Sequence, residues 1–164
     1  MSRHPVILWF RRDLRLADHP ALAAAAAAAA ERDAPLLPIF VWEPGIYAGP
    51  RASANRTWFL RESVEELGEA LRRLGSDLVE LQGPATAAIP ALVSRLRAAG
   101  GEGEIGIFVT RDHTPYARAR DQRVAEAIAP LGGVLHAKRG SLVRSEEHTS
   151  ELQSRQYLVC RLLL

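Results

Sequence analysis

The sequence predicts an α/β fold, a doubly wound sheet of parallel strands with helices on both faces, and three observations carry that prediction. Short apolar runs alternate with segments of helical period along the 164 residues. The first run, Val6-Ile7-Leu8-Trp9-Phe10, is apolar without a break, as expected of a strand buried on both faces. The connections are short, and short right-handed crossovers between strands generate a parallel sheet covered on both sides. The result is a Rossmann-like sheet of five strands in the common order 3-2-1-4-5.

Each element follows from its local pattern. After the first strand, Asp18 is positioned to cap a helix over Ala21 to Arg32, because Asp is a favoured N-cap and alanine the strongest helix former. Leu36 to Trp42 reads as a second buried strand despite Pro38, and Glu43 to Pro50, with two prolines and two glycines, as a loop. Leu60, Val64, Leu67, Leu71 and Leu74 fall on one helical stripe that Gly75 stops. Leu78 to Leu81 is a third strand. Pro84 to Ala99 carries Ile89, Leu92, Val93 and Leu96 at helical spacing, with Pro90 marking an early turn or kink. Ile105 to Val109 is a fourth strand, Pro115 to Leu131 a helix, and Val134 to Ala137 a fifth strand.

The last segment breaks this pattern. Arg144 to Leu164 has no turn signal or period linking it to what precedes, and it resembles a translated short-read library adapter. In one frame the adapter encodes Arg144 to Ser154; its distal part encodes Tyr157 to Leu164, with Arg155 and Gln156 where the sample index falls. We therefore expect a native domain over residues 1–143 and a non-native, adapter-derived tail over 144–164, which is set aside for fold reasoning. The tail holds three arginines and three glutamates, so removing it leaves the formal net charge at +2. Charges of both signs are interleaved, unlike a dedicated nucleic-acid surface, so little DNA binding is expected of this domain. The only cysteine, Cys160, lies in the tail, which leaves no disulfide or cysteine metal site and fits a cytoplasmic location. No run approaches the roughly 18 apolar residues of a membrane span.

The sequence excludes several chemistries. The turn after the first strand has no glycine, so the dinucleotide fingerprint is absent, and there is no Gly-x-x-x-x-Gly-Lys-Ser/Thr loop. His4, His19, His113 and His136 are scattered without metal-ligand spacing, and no serine sits in a nucleophile-elbow context. What remains is the carboxyl edge of the sheet. Phe10-Arg11-Arg12-Asp13 after the first strand would face Thr110-Arg111-Asp112-His113-Thr114-Pro115-Tyr116 after the fourth, at the switch point where open α/β sheets bind ligands. Arginine forks suit a carboxylate or phosphate, and Asp112 could accept from a ring N–H, so a planar anionic heterocycle would suit the crevice. An Arg–Asp network that only ties loops together, or docks a neighbouring domain, satisfies the same residues.

Phe10-Arg11-Arg12-Asp13-Leu14-Arg15 after an apolar strand resembles the opening of the DNA photolyase and cryptochrome family. The likeness extends through Asn55 to Ser63, Leu74 to Leu78, and Pro115-Tyr116 to Arg120-Asp121, and covers Val6 to about Val143. It implies an N-terminal light-harvesting domain that holds an antenna chromophore (a deazaflavin, a folate or a flavin). A helical domain beyond this chain would carry FAD and damaged DNA. The implied parent activity is light-driven repair of cyclobutane pyrimidine dimers, which this fragment alone cannot perform. The candidate antenna site is Phe10, Arg11, Arg12, Asp13, Asp112 and His113, with no catalytic residue and no metal, in a monomer without membrane association. Arg11 and Asp112 match positions where deazaflavin-binding members contact the antenna; the Asn-Glu pair of folate-binding members is replaced by Arg111-Asp112-His113. Cryptochromes, which signal instead of repairing DNA, share this domain. A stand-alone nucleotide-binding domain is a third reading, weakened by the missing glycine-rich loop.

Overall fold

The computed structural model describes residues 3–47, 49 and 52–140. The segment 144–164 and Cys160 lie outside the described residues. Five parallel strands, β1 (Val6–Phe10), β2 (Leu36–Trp42), β3 (Val79–Gln82), β4 (Ile105–Thr110) and β5 (Gly133–Lys138), form one sheet in the order β3-β2-β1-β4-β5. That is the predicted order. β1 sits in the middle, with Ile7 in register with Leu37 on one side and Ile107 on the other. All five of its residues are buried, which explains why its sequence is apolar at every position.

Strand alternation divides the core in two. Val6, Leu8 and Phe10 face one layer, made by α1 (Pro20–Glu31) and α3 (Ala54–Arg73). Ile7 and Trp9 face the other, made by α4 (Ala85–Ala98) and α5 (Pro115–Ile128). Ala21, Ala25 and Ala29 form the buried stripe of α1, so the alanine run works as a flat face that lies close to the sheet. Gly75, at φ +78°, ends α3 with paired bonds from Gly75 N to Arg72 O and Ser76 N to Leu71 O, the arrangement that needs a left-handed residue just past a helix.

Several local expectations are corrected. Asp18 does not cap α1: it takes a left-handed φ of +47°, and the His19 side chain caps instead, its Nδ1 accepting from Leu22 N at 3.1 Å with Pro20 at the first helical position. Pro44–Tyr47 is a short helix, α2, where the sequence read as loop. Leu74 lies off the end of the α3 stripe and is exposed. α4 runs through Pro90, forgoing one bond to the carbonyl four residues back. α5 stops at Ile128 and Ala129–Leu131 tightens into a 3-10 turn. Pro38 is tolerated because the ladder between β2 and β3 begins one residue later, at Ile39, so Pro38 has a strand on one side only.

Candidate functional site at the carboxyl edge of the sheet

The β1 and β4 termini meet where the strand order reverses, and the first two turns of α5 lean over the same edge. Arg11 leaves β1 on the side of Trp9. Its Nη1 donates to both Asp121 oxygens, at 2.7 and 3.0 Å, and its Nη2 donates to the Thr110 carbonyl. The Arg11 and Arg120 guanidinium carbons each lie 5.0 Å from the Trp9 ring centroid, so a buried indole carries two cations. Burial pulls the Arg11 pKa below its ordinary value, with nearby Arg120 adding to the effect and Asp121 opposing it.

Arg120 continues the network. Its Nε and Nη2 donate to Asp121 Oδ1 at 3.2 and 3.0 Å, while its Nη1 stands 3.7 Å from Glu43 Oε1. Glu43 follows β2 directly and is buried. Its Oε2 accepts weakly from the Tyr116 hydroxyl at 3.4 Å, and its buried Oε1 has no hydrogen-bond partner. An unpaired buried carboxylate oxygen costs free energy, so this atom marks a donor position left open.

A second cluster sits on the α1 side. Asp13 Oδ2 accepts from the Thr110 hydroxyl and lies 3.0 Å from His19 Nε2, off the ideal hydrogen-bond line. Because His19 Nδ1 accepts from the helix backbone, its proton is assigned to Nε2, facing Asp13. Burial alone would raise the Asp13 pKa, but the contacts with His19 and Thr110 outweigh it and bring it down to about 2.

Six residues were expected at this site. Arg11, Asp13 and Asp112 gather at the edge, but on different partners: Asp112 Oδ1 accepts from Thr114 N at 3.0 Å, and Oδ2 lies 3.8 Å from the exposed Arg12. Burial would raise the Asp112 pKa; the Thr114 hydrogen bonds and the two arginines hold it below the usual value. His113 is half-buried in the turn before α5. Phe10 is fully enclosed in the core, edge-on to the His19 ring at 5.2 Å, so it supports the loop from beneath. Trp9, Glu43, Arg120 and Asp121 join the edge from outside the expected segments, while Thr110 and Tyr116 belong to the run expected to face the end of β1. Glu43 could have been found as the charged residue closing an apolar strand; Tyr116, Arg120 and Asp121 lie in the first two turns of the helix that follows β4.

No helix of the described residues is long and apolar enough to cross a membrane, and they contain no cluster of three potential metal ligands among His, Cys, Asp and Glu. The sequence model of the DNA photolyase family matches residues 6–162. The chain is 34% identical over 128 residues to deoxyribodipyrimidine photo-lyase of Synechococcus sp., covering 78% of this chain and 24% of that one. It is 32% identical over 142 residues to cryptochrome-1 of Sinapis alba, covering 85% and 26%. The chain thus spans about a quarter of the length of these relatives. Its fold is similar to that of an archaeal photolyase from Sulfolobus tokodaii, with a TM-score of 0.70 and 28% identity over 87% of this chain and 31% of that one. That photolyase is described with two FAD molecules and the implication of a novel light-harvesting cofactor.

Proposed function

The chain belongs to the DNA photolyase family, and from that premise we propose that it is the N-terminal light-harvesting domain of a deoxyribodipyrimidine photo-lyase. The whole protein would repair cyclobutane pyrimidine dimers with light, using FAD and binding damaged DNA in a helical domain beyond this chain. This domain would hold an antenna chromophore, a deazaflavin, folate or flavin, which absorbs near-ultraviolet or blue light and passes the excitation to FAD. The observation that carries the reading is the carboxyl edge at the switch point, where buried Glu43 Oε1 lacks a hydrogen-bond partner beside Arg120, itself stacked on Trp9.

The residues present fit such a group. A planar heterocycle offers ring N–H donors and carbonyl acceptors, matching one free carboxylate oxygen and adjacent guanidinium nitrogens. Arg11 and Asp121 would fix the floor of the site, and Asp13 with His19 would fix the loop that carries Arg11. Energy transfer needs a rigid chromophore at a fixed place, and no acid, base or nucleophile, so no residue here is assigned a catalytic role. We propose further that the domain is monomeric and cytoplasmic and binds DNA weakly by itself.

The cryptochrome reading rests on the similarity to the Sinapis relative. The test is to purify the complete gene product, release its chromophores by denaturation, and assay repair of dimer-containing DNA in light and dark. Repair with an antenna chromophore beside FAD is the expected result. A product that carries FAD and binds no second chromophore overturns the antenna reading. FAD photoreduction without repair replaces photolyase by photoreceptor, and a gel shift of damaged DNA by this chain alone would overturn the weak-binding expectation.

A further inference from the structure

Glu43 and Arg120 stand in a relation that the network around them does not use up. Arg120 spends Nε and Nη2 on Asp121, leaving Nη1 turned toward Glu43 but 3.7 Å from Oε1, beyond hydrogen-bond reach. Glu43 spends Oε2 on a 3.4 Å contact with Tyr116 and leaves Oε1 unpaired. A buried acceptor and a donor therefore sit side by side as an ion pair that makes no hydrogen bond. The buried Trp9 ring lies under the Arg120 guanidinium, 5.0 Å from its carbon, and fixes that cation in place.

Side-by-side acceptor and donor complement a ring edge that presents N–H next to C=O. That edge is a lactam, the grouping shared by the pyrimidine rings of flavins, deazaflavins and pterins. We propose that Glu43 and Arg120 read the lactam edge of the antenna heterocycle, Glu43 Oε1 accepting from the ring N–H and Arg120 Nη1 donating to the adjacent carbonyl. Tyr116 holds the other carboxylate oxygen, Oε2, and can move away. It is 66% exposed in the first turn of α5, and its single long hydrogen bond to Glu43 is a weak restraint on the carboxylate. The inference deepens the antenna reading and rests on it, assigning the selectivity for a protonated ring nitrogen to one side chain.

The experiment titrates the chain with lumiflavin, 5-deazalumiflavin and 6-methylpterin, each paired with its N3-methyl derivative, and follows ligand fluorescence. Whichever parent binds names the source of the lactam. Methylation removes the ring N–H, and in the wild-type chain it should weaken binding at least about tenfold, the loss expected for a hydrogen bond to a charged group. In Glu43→Leu the parent should weaken by a similar factor and the methyl derivative should bind no worse than the parent. Glu43→Gln keeps a neutral acceptor of the same shape and should lose only part of the discrimination, so it serves if the leucine variant fails to fold. Equal discrimination in wild type and both variants, or none in wild type, overturns the role of Glu43 and leaves the antenna reading standing. Failure of all three parents to bind removes both together.

Discussion

Arg11 and Asp121 lie 110 positions apart in the chain and meet at 2.7 Å across the carboxyl edge of the sheet, with side chains only 8% and 16% exposed. This one pair ties the first strand to the last long helix. Removing one member of a buried pair strands the other charge, so Asp121→Ala should cost about 3 to 5 kcal/mol in urea unfolding, since it abandons both Arg11 and Arg120. Arg11→Met combined with Asp121→Leu should lose clearly less than the two single changes added together. Strict additivity would mean that the contact contributes nothing.

Acid should reveal Asp13. Its folded pKa, about 2, lies below the ordinary 3.8, so its contribution to stability is fully present above about pH 4 and disappears as pH falls through the folded value. Discounted for solvent screening of a partly exposed carboxylate, a depression of that size is worth about 1 to 2 kcal/mol. Asp13→Asn should therefore destabilise the chain near neutrality and flatten the pH dependence of the unfolding free energy between about pH 4 and pH 2. An unchanged acid limb in the variant would remove Asp13 from the account.

Gly132 should be hard to replace. It sits at φ +72°, and an added Cβ would collide with the Arg97 guanidinium, which holds the turn by donating to Leu131 O at 2.7 Å and Gly132 O at 3.0 Å. Gly132→Ala should lose about 1 to 3 kcal/mol by backbone strain and a broken hydrogen bond. The same change made in an Arg97→Ala background should cost less, because the collision is gone; equal losses in the two backgrounds would assign the whole effect to backbone strain.

Two leucines of α3 should part company. Leu71 is buried in the core and Leu74 is 73% exposed. Leu74→Lys should change stability by no more than about 0.5 kcal/mol, while Leu71→Lys should cost more than about 3 kcal/mol or prevent folding. Similar thermal midpoints for the two would contradict the helix end described at Leu74.

The fold was legible because its strands announce themselves. Val6 to Phe10 is an unbroken apolar run that ends at Arg11, and Ile105 to Val109 begins after Glu104 with only Gly106 among its aliphatic and aromatic residues; a fully buried parallel strand demands that composition. The site was legible only to the level of which edge. Arg11 and Asp112 could be placed there from the strand ends, but their partners are chosen by three-dimensional packing: Asp121 and Arg120 lie two turns into a helix whose sequence shows only amphipathic spacing. The cap of α1 was misread for a local reason. Asp18 is a good cap by propensity, yet its tolerance of left-handed backbone let it take the bend, and His19 then supplied the acceptor. Glu43 was hidden by its company, since a segment rich in proline and glycine draws attention away from the one charged residue that is buried.

The central position of β1 also sets a timetable. Ile7 pairs with Ile107, so during synthesis this strand gains its second neighbour only after about a hundred more residues have emerged. Until then five apolar residues have a completed sheet on one edge at most, and closing so long a loop is slow and exposes sticky surface meanwhile. A nascent chain stalled before β4 should therefore leave one edge of β1 open to other strands.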